Sequence, residues 1–200
     1  MTKQLLFLLA LACPFIVNAQ KISASGSFDF LKEAKKMQTS FNYENVVVGE
    51  FSNENDYVRR EVTEKNDKEP GSGEIWKEKW YANRSNRFEP NFLELFNKHA
   101  ADYGVSAVRD EQTKYVMEVK TISIDPGWNV GVMRRPALID FVVYFYDRNE
   151  PDNILAKVEL AKCTGQDAMG YDFDSAYRME EAYAKGAKSL AKYLAKKMPK

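Results

Sequence analysis

One histidine and two cysteines limit the side-chain chemistry open to this chain. A Ser–His–Asp hydrolase would have to use His99 as its base, and no Gly-x-Ser-x-Gly elbow is present to mount a nucleophile. Gly71-Ser72-Gly73 reads as a flexible turn. Cys163 acting with His99 is the other nucleophilic option, but nothing in the spacing brings the two together. His99 lies on or beside the apolar stripe of a helix, where a buried or half-buried structural role is expected. The usual four nitrogen and sulfur ligands of zinc cannot be drawn from so few His and Cys. Gly127-x-x-x-Gly131 lacks the Lys and Ser/Thr of a phosphate-binding loop, and there is no dinucleotide fingerprint. Paired carboxylates, as in glycosidases, could come from any of 29 acids, so no pair is singled out. The sequence therefore names no catalytic residue and implies no cofactor.

Two loops stand out instead. The first, Asp125-Pro126-Gly127-Trp128-Asn129-Val130-Gly131-Val132-Met133-Arg134-Arg135-Pro136, joins two strands that a much shorter turn could have joined. Trp, Met and Arg are enriched at protein contacts. Trp128, Val130, Val132, Met133, Arg134 and Arg135 are accordingly the candidate partner-binding residues, the alternative being a loop folded back over the core. The second loop runs from Thr164 to Asp174. Its Asp167, Asp172 and Asp174 are weak candidates for calcium, which favours carboxylates on flexible loops, but their spacing is not that of an EF-hand and no closing Glu follows. Asp174 is equally explained as a helix cap.

The elements that must carry these loops alternate in type. Phe28 and Phe30 fall on one side of a strand-like Gly26 to Leu31, and Met37, Thr39, Phe41 and Tyr43 share a side of the next. Val46 to Phe51 is β-branched and short. Asn53, with Asp56 three residues on, predicts a capped helix through Tyr57, Val58 and Val62 that ends at Pro70-Gly71-Ser72-Gly73. Trp76 and Trp80 predict a helix over 74–82. After Pro90, the residues Phe92, Leu95, Phe96, His99, Ala100 and Tyr103 trace a further helix closed by Gly104. Tyr115 to Asp125, Ala137 to Asp147 and Asn153 to Ala161 read as antiparallel strands with one apolar face. In the first of these, strict alternation puts Val116, Ile122 and Ile124 opposite Tyr115, Met117 and Val119. Asp174 then caps a long helix striped by Met179, Tyr183, Ala187, Leu190 and Leu194. Its C-terminal half is crowded with Lys185, Lys188, Lys192, Lys196 and Lys197. These offset the helix dipole, with contact to anionic lipid or a partner as the alternative.

Hydrophobic residues make up 44% and aromatic residues 13% of 200, too much for a disordered chain. Net charge 0 argues against a nucleic-acid binder, which needs surplus Lys and Arg. Lys3, the apolar run Leu5 to Val17 and the small-residue ending Val17-Asn18-Ala19 predict a signal peptide over 1–19. The run is shorter than the ~20 residues of a bilayer span, so no transmembrane segment is expected once it is removed. Cys13 admits a second reading as a lipidation site, though the apolar run continues past it. Cleavage leaves Cys163 alone, without an intramolecular disulfide. The expectation is an exported chain, periplasmic or outer-membrane-associated. Residues 20–200 should form a single α+β domain: an antiparallel β-sheet with helices packed on one face and a long C-terminal helix.

The segments SGSFDFLK (25–32), VVVGEF (46–51), KEPGSGEIWKEKW (68–80), RFEPNFLELFNK (87–98), EVKTISIDPGWNVGVMRRPA (118–137) and GYDFDSAYRMEEAYAK (170–185) resemble a family of exported bacterial envelope proteins. The strand–strand–strand–loop–helix ending is also similar to small periplasmic modules such as the N-terminal domain of TolB and the curli-export lipoprotein. The resemblance implies secretion and a shared fold. It carries no catalytic residue across. The resulting expectation is a non-enzymatic binding or assembly module that contacts another envelope protein or a surface glycan. The alternatives are a glycan- or peptide-acting hydrolase using paired carboxylates, and a calcium- or glycan-binding module.

Overall fold

A computed structural model describes residues 20–165 and 174–198. The signal-peptide expectation falls on 1–19, outside the described residues, as do Asp167 and Asp172. The fold is α+β. One mixed sheet runs in the order β1-β9-β8-β5-β2-β4, with β3 against the far end of β5. Its long central members are β5 (Tyr115–Asp125), β8 (Ala137–Asp147) and β9 (Ile154–Gly165), flanked by β1 (Lys21–Gly26), β2 (Lys36–Asn42), β3 (Val47–Val48) and β4 (Ser106–Val108). From β1 to β5 every pairing is antiparallel. The departure from an antiparallel sheet is on the other side of β5, where β2, β3 and β4 pair in parallel. Parallel neighbours need a long crossover. The helices α1 (Glu54–Lys68), α2 (Ser72–Asn83) and α3 (Glu89–Ala100) lie on the chain between β2 and β5 and provide it.

Packing of α3 and α4 (Ser175–Lys197) on one sheet face follows from alternation along the strands. Ala137, Ile139, Phe141, Val143 and Phe145 of β8 are buried, while the residues between them are half-buried on the other face. Against this surface α4 lays Met179, Tyr183, Ala187, Leu190 and Leu194, all buried as the stripe requires. The rings interlock. Phe41 meets Phe92 edge-on at 5.5 Å, and Tyr183 meets Phe141 edge-on at 4.9 Å while stacking on Phe88 at 5.0 Å. The Tyr183 hydroxyl, inside the core, shares a 2.9 Å hydrogen bond with that of Thr121.

Three local departures from the sequence pattern have physical causes. Phe28 and Phe30 do not lie on a strand. Residues Asp29–Lys32 form a 3-10 turn that rolls Phe30 and Leu31 inward, and the first strand ends earlier, at Gly26. Strict alternation in β5 fails because the pairing with β8 shifts register between Thr121 and Ser123. That bulge moves Ile124 to the buried face with Met117 and Val119 and leaves Ile122 37% exposed. A matching shift in β8–β9 lies between Ile139 and Phe141, with Lys162 at φ +59°. The Asp140 carboxylate serves both irregularities, accepting from Ser123 Oγ at 2.7 Å and from the Lys162 backbone N–H at 2.7 Å.

The third departure is at Pro90. The pattern suggests two helices broken there, but α2 runs through a π-helical turn, Arg84–Phe88, directly into α3. Proline lacks an N–H and its ring crowds the carbonyl four residues back. A wider turn just before Pro90 accommodates both without a break.

Candidate functional site

The loop from Pro126 to Pro136 is a small β-hairpin standing on the end of the β5–β8 pair. Its strands are β6 (Trp128–Asn129) and β7 (Arg134–Arg135), with Trp128 opposite Arg135. Local chemistry shapes it. Gly127 (φ +62°) and Gly131 (φ +86°) occupy left-handed conformations that favour glycine. Asn129 Oδ1 accepts the Gly131 N–H at 2.8 Å, and the Val130 N–H donates to the Met133 carbonyl at 3.0 Å to close the tip. A Cβ at Gly127 would run into the carbonyl oxygens of Arg135 and Pro136, so the base is tightly crossed.

The base is also tied to the helices. Arg178, on the first turns of α4, is only 3% exposed and donates through Nε and Nη2 to the Pro126 carbonyl at 3.3 and 3.1 Å. Asp125 accepts the Gly127 N–H at 3.0 Å and pairs with Arg135 across the base. Charge-assisted hydrogen bonds of this kind are the stronger class. Sequence patterning gave no notice of Arg178, because an arginine beside the apolar stripe of a helix reads as an ordinary surface cation.

The hairpin tip is not folded back over the core. Val132 is 93% exposed, Val130 64%, Met133 61% and Trp128 42%. Arg134 and Arg135 are exposed beside them. All six residues singled out in the sequence thus share one projecting element.

Beneath the hairpin is an open cleft of about 610 Å³. Phe51, Tyr57 and Trp128 give it apolar walls, and Glu50, Arg60, Glu61, Asp125 and Arg135 give it charge. It forms where β3 and β5 end and the first turns of α1 begin. The Asn53 side chain caps α1 by accepting the Asp56 N–H at 2.9 Å, which fixes the turn that presents Tyr57 and Arg60. The Arg60 guanidinium lies over the Phe51 ring at 4.7 Å and near Tyr57 at 5.6 Å. It also reaches Glu61 at 2.9 Å and Glu50 at 3.5 Å. Tyr57 is backed by Trp80 and Trp76 at 5.1 and 6.0 Å. Trp80 in turn donates to Glu54 at 2.7 Å, and Glu54 also pairs with Arg84. Burial is the main cause pushing the Tyr57 hydroxyl well above the usual phenol range, so it stays neutral. Each carboxylate of the cleft has a cationic partner, Asp125 with Arg135 and both Glu50 and Glu61 with Arg60. Trp76 and Trp80 are the helical aromatic stripe expected of them, here forming the backing of a cleft wall.

The reactive side chains are elsewhere. Cys163 is buried with Gln20 Nε2 donating to its sulfur at 3.3 Å, and burial, followed by Asp140, pushes the thiol up to about 12. His99 is half-buried on α3. Ser72 Oγ donates to the Lys65 carbonyl at 2.9 Å, and Asn66 Oδ1 accepts from the backbone of Gly71 and Gly73 at 3.0 and 2.9 Å. That segment is a closed α1–α2 turn. Asp174 caps α4, accepting the Ala176 N–H at 2.8 Å. Among the described residues no group of three or more His, Cys, Asp or Glu is placed to hold a metal ion, and no helix is long and apolar enough to cross a membrane.

No protein-family model and no curated protein matches the chain. Among solved structures it is similar to a dodecamer of PelC from Paraburkholderia phytofirmans, seen in two forms. Identity is 8% in both, with TM-scores of 0.38 and 0.37, covering 84% of this chain and 98% of that one. At those values the likeness assigns no role to any residue.

Proposed function

We propose that this chain is an exported, non-enzymatic envelope protein that docks onto another envelope protein through the hairpin 126–136. One observation carries the reading. Of the eight large hydrophobic side chains exposed among the described residues, four (Trp128, Val130, Val132 and Met133) share this one projection. Scattered exposed apolar groups need no explanation, but a cluster on an anchored element does. Burying a side chain of this size contributes about 1.5–3 kcal/mol, so Val132 and Met133 together supply the core of a contact. Arg134 and Arg135 at the rim fit a partner surface with an apolar recess edged by carboxylates. The leader-like N-terminus and the family resemblance support the envelope setting. The fully paired carboxylates of the cleft and the buried thiol support a role without bond-making.

Cross-linking in the native envelope tests this. A discrete adduct is expected with the wild-type chain. It should vanish on Val132→Ser with Met133→Ser, persist on Ile75→Ser, and weaken at high salt because the rim is charged. An adduct indifferent to the hairpin substitutions contradicts the reading.

A further inference from the structure

We propose that the cleft at the base of the hairpin is a binding site for a neutral saccharide. This goes beyond the docking reading and makes no use of Val130, Val132 or Met133.

A pyranose presents an apolar C–H face and an equatorial belt of hydroxyls, each able both to donate and to accept. A site for it needs an open aromatic face and planar polar groups around it. Here Trp128 is 42% exposed at the cleft mouth and supplies the open face. The other two rings are already used: Phe51 and Tyr57 flank the Arg60 guanidinium, at 4.7 and 5.6 Å from the ring centres. They therefore act as floor and as clamps that hold Arg60 in place. Arg60 and Arg135 provide forked donors, and Asp125, Glu50 and Glu61 provide acceptors. Vicinal hydroxyls suit this alternation, since a guanidinium or a carboxylate can bridge two of them in one plane.

Preorganisation separates this cleft from an ordinary surface dip. Asp125 is fixed by Gly127 and Arg135, and the hairpin base that carries Trp128 is fixed by buried Arg178 at the Pro126 carbonyl. Side chains held by protein partners lose little freedom when a ligand arrives. The volume, about 610 Å³, lies within the range of small-molecule sites. Sign of charge sets the class. Three carboxylates against two guanidinium groups disfavour uronates and other anionic sugars.

The test uses the purified chain and short oligosaccharides of neutral hexoses, deoxyhexoses and N-acetylhexosamines, with uronate oligosaccharides as the contrast. Binding is read by tryptophan fluorescence and by the rise in melting temperature that a ligand of the folded state must produce. A neutral oligosaccharide is expected to shift both. Trp128→Ala should abolish the fluorescence change, and Arg135→Ala should weaken binding about tenfold or more. Circular dichroism and melting of the free variants check that both still fold. Val132→Ser with Met133→Ser should bind sugar like the wild type, so failure of the docking reading and failure of this one are told apart. No response across the neutral panel overturns the proposal. So does stronger binding of uronates, or binding undiminished in both cleft variants.

Discussion

The covered face of the sheet and the hairpin that grows from its end use the same apolar residue types in opposite ways. On β8 every second side chain from Ala137 to Phe145 is buried, and α4 closes over them. Just before Ala137 on the chain, Val132 and Met133 are left in water on a hairpin fastened by Arg178, Asp125 and two glycines. In the first region burial gives stability. In the second, hydrogen bonds and turn geometry hold the backbone, which leaves the apolar side chains free for contact. The two regions should therefore respond to substitution in different measurements.

The largest effect is expected in the covered face. Phe141→Ala removes a ring packed between Phe92 and Tyr183 and should cost about 3–5 kcal/mol in denaturant unfolding. Asp140→Ala takes the acceptor from the Ser123 hydroxyl and the Lys162 N–H and should cost about 1–3 kcal/mol, with strand register loosened around Ser123 and Lys162 in hydrogen exchange. Arg178→Met keeps bulk on α4 but removes its donors to the Pro126 carbonyl. A loss of about 1–3 kcal/mol is expected, with faster proteolysis of 126–136. Val132→Ser with Met133→Ser should change stability by no more than about 0.5 kcal/mol while removing the cross-linked partner.

The smallest effect concerns His99. Desolvation, then Lys188, Lys192 and Lys98, holds its pKa below the ordinary 6.5, with Asp102 opposing. The folded chain thus takes up this proton less readily than the unfolded one. Stability should be unaffected above pH 6.5 and fall as pH drops through the unfolded value, and His99→Gln should remove that component. A melting curve of the variant with the same slope below pH 6.5 as the wild type contradicts the assignment.

Much of this was legible in the residues. The caps Asn53 and Asp174, the aromatic spacing of Trp76 and Trp80, the stripe of α4 and the three central strands all carry local signals that the fold obeys. What escaped reading was non-local. The bulge after Thr121 reverses the alternation of β5, and the group that supports it, the Asp140 carboxylate accepting from the Ser123 hydroxyl, lies on the neighbouring strand. The parallel pairing of β2 with β5 depends on where a three-helix crossover returns, which periodicity does not encode. The π turn before Pro90 replaces a break that the proline alone would predict. For the site, the hairpin residues were visible as an over-long loop of unusual composition. The cleft was not, since Phe51, the α1 residues Tyr57 and Arg60, and Asp125 at the end of β5 meet only in the fold, and the anchor Arg178 sits in a helix far along the chain.

The central claim is that the hairpin tip, rather than the sheet face or the basic helix, is where the protein meets its partner. A photo-activated cross-linking side chain placed at Val132, with Ile75 and Lys196 as control positions, tests it in the native envelope. The account predicts one discrete protein adduct from position 132, competed by excess unlabelled wild-type chain and absent from both controls. No adduct from 132, or the same adduct from Ile75 or Lys196, contradicts it.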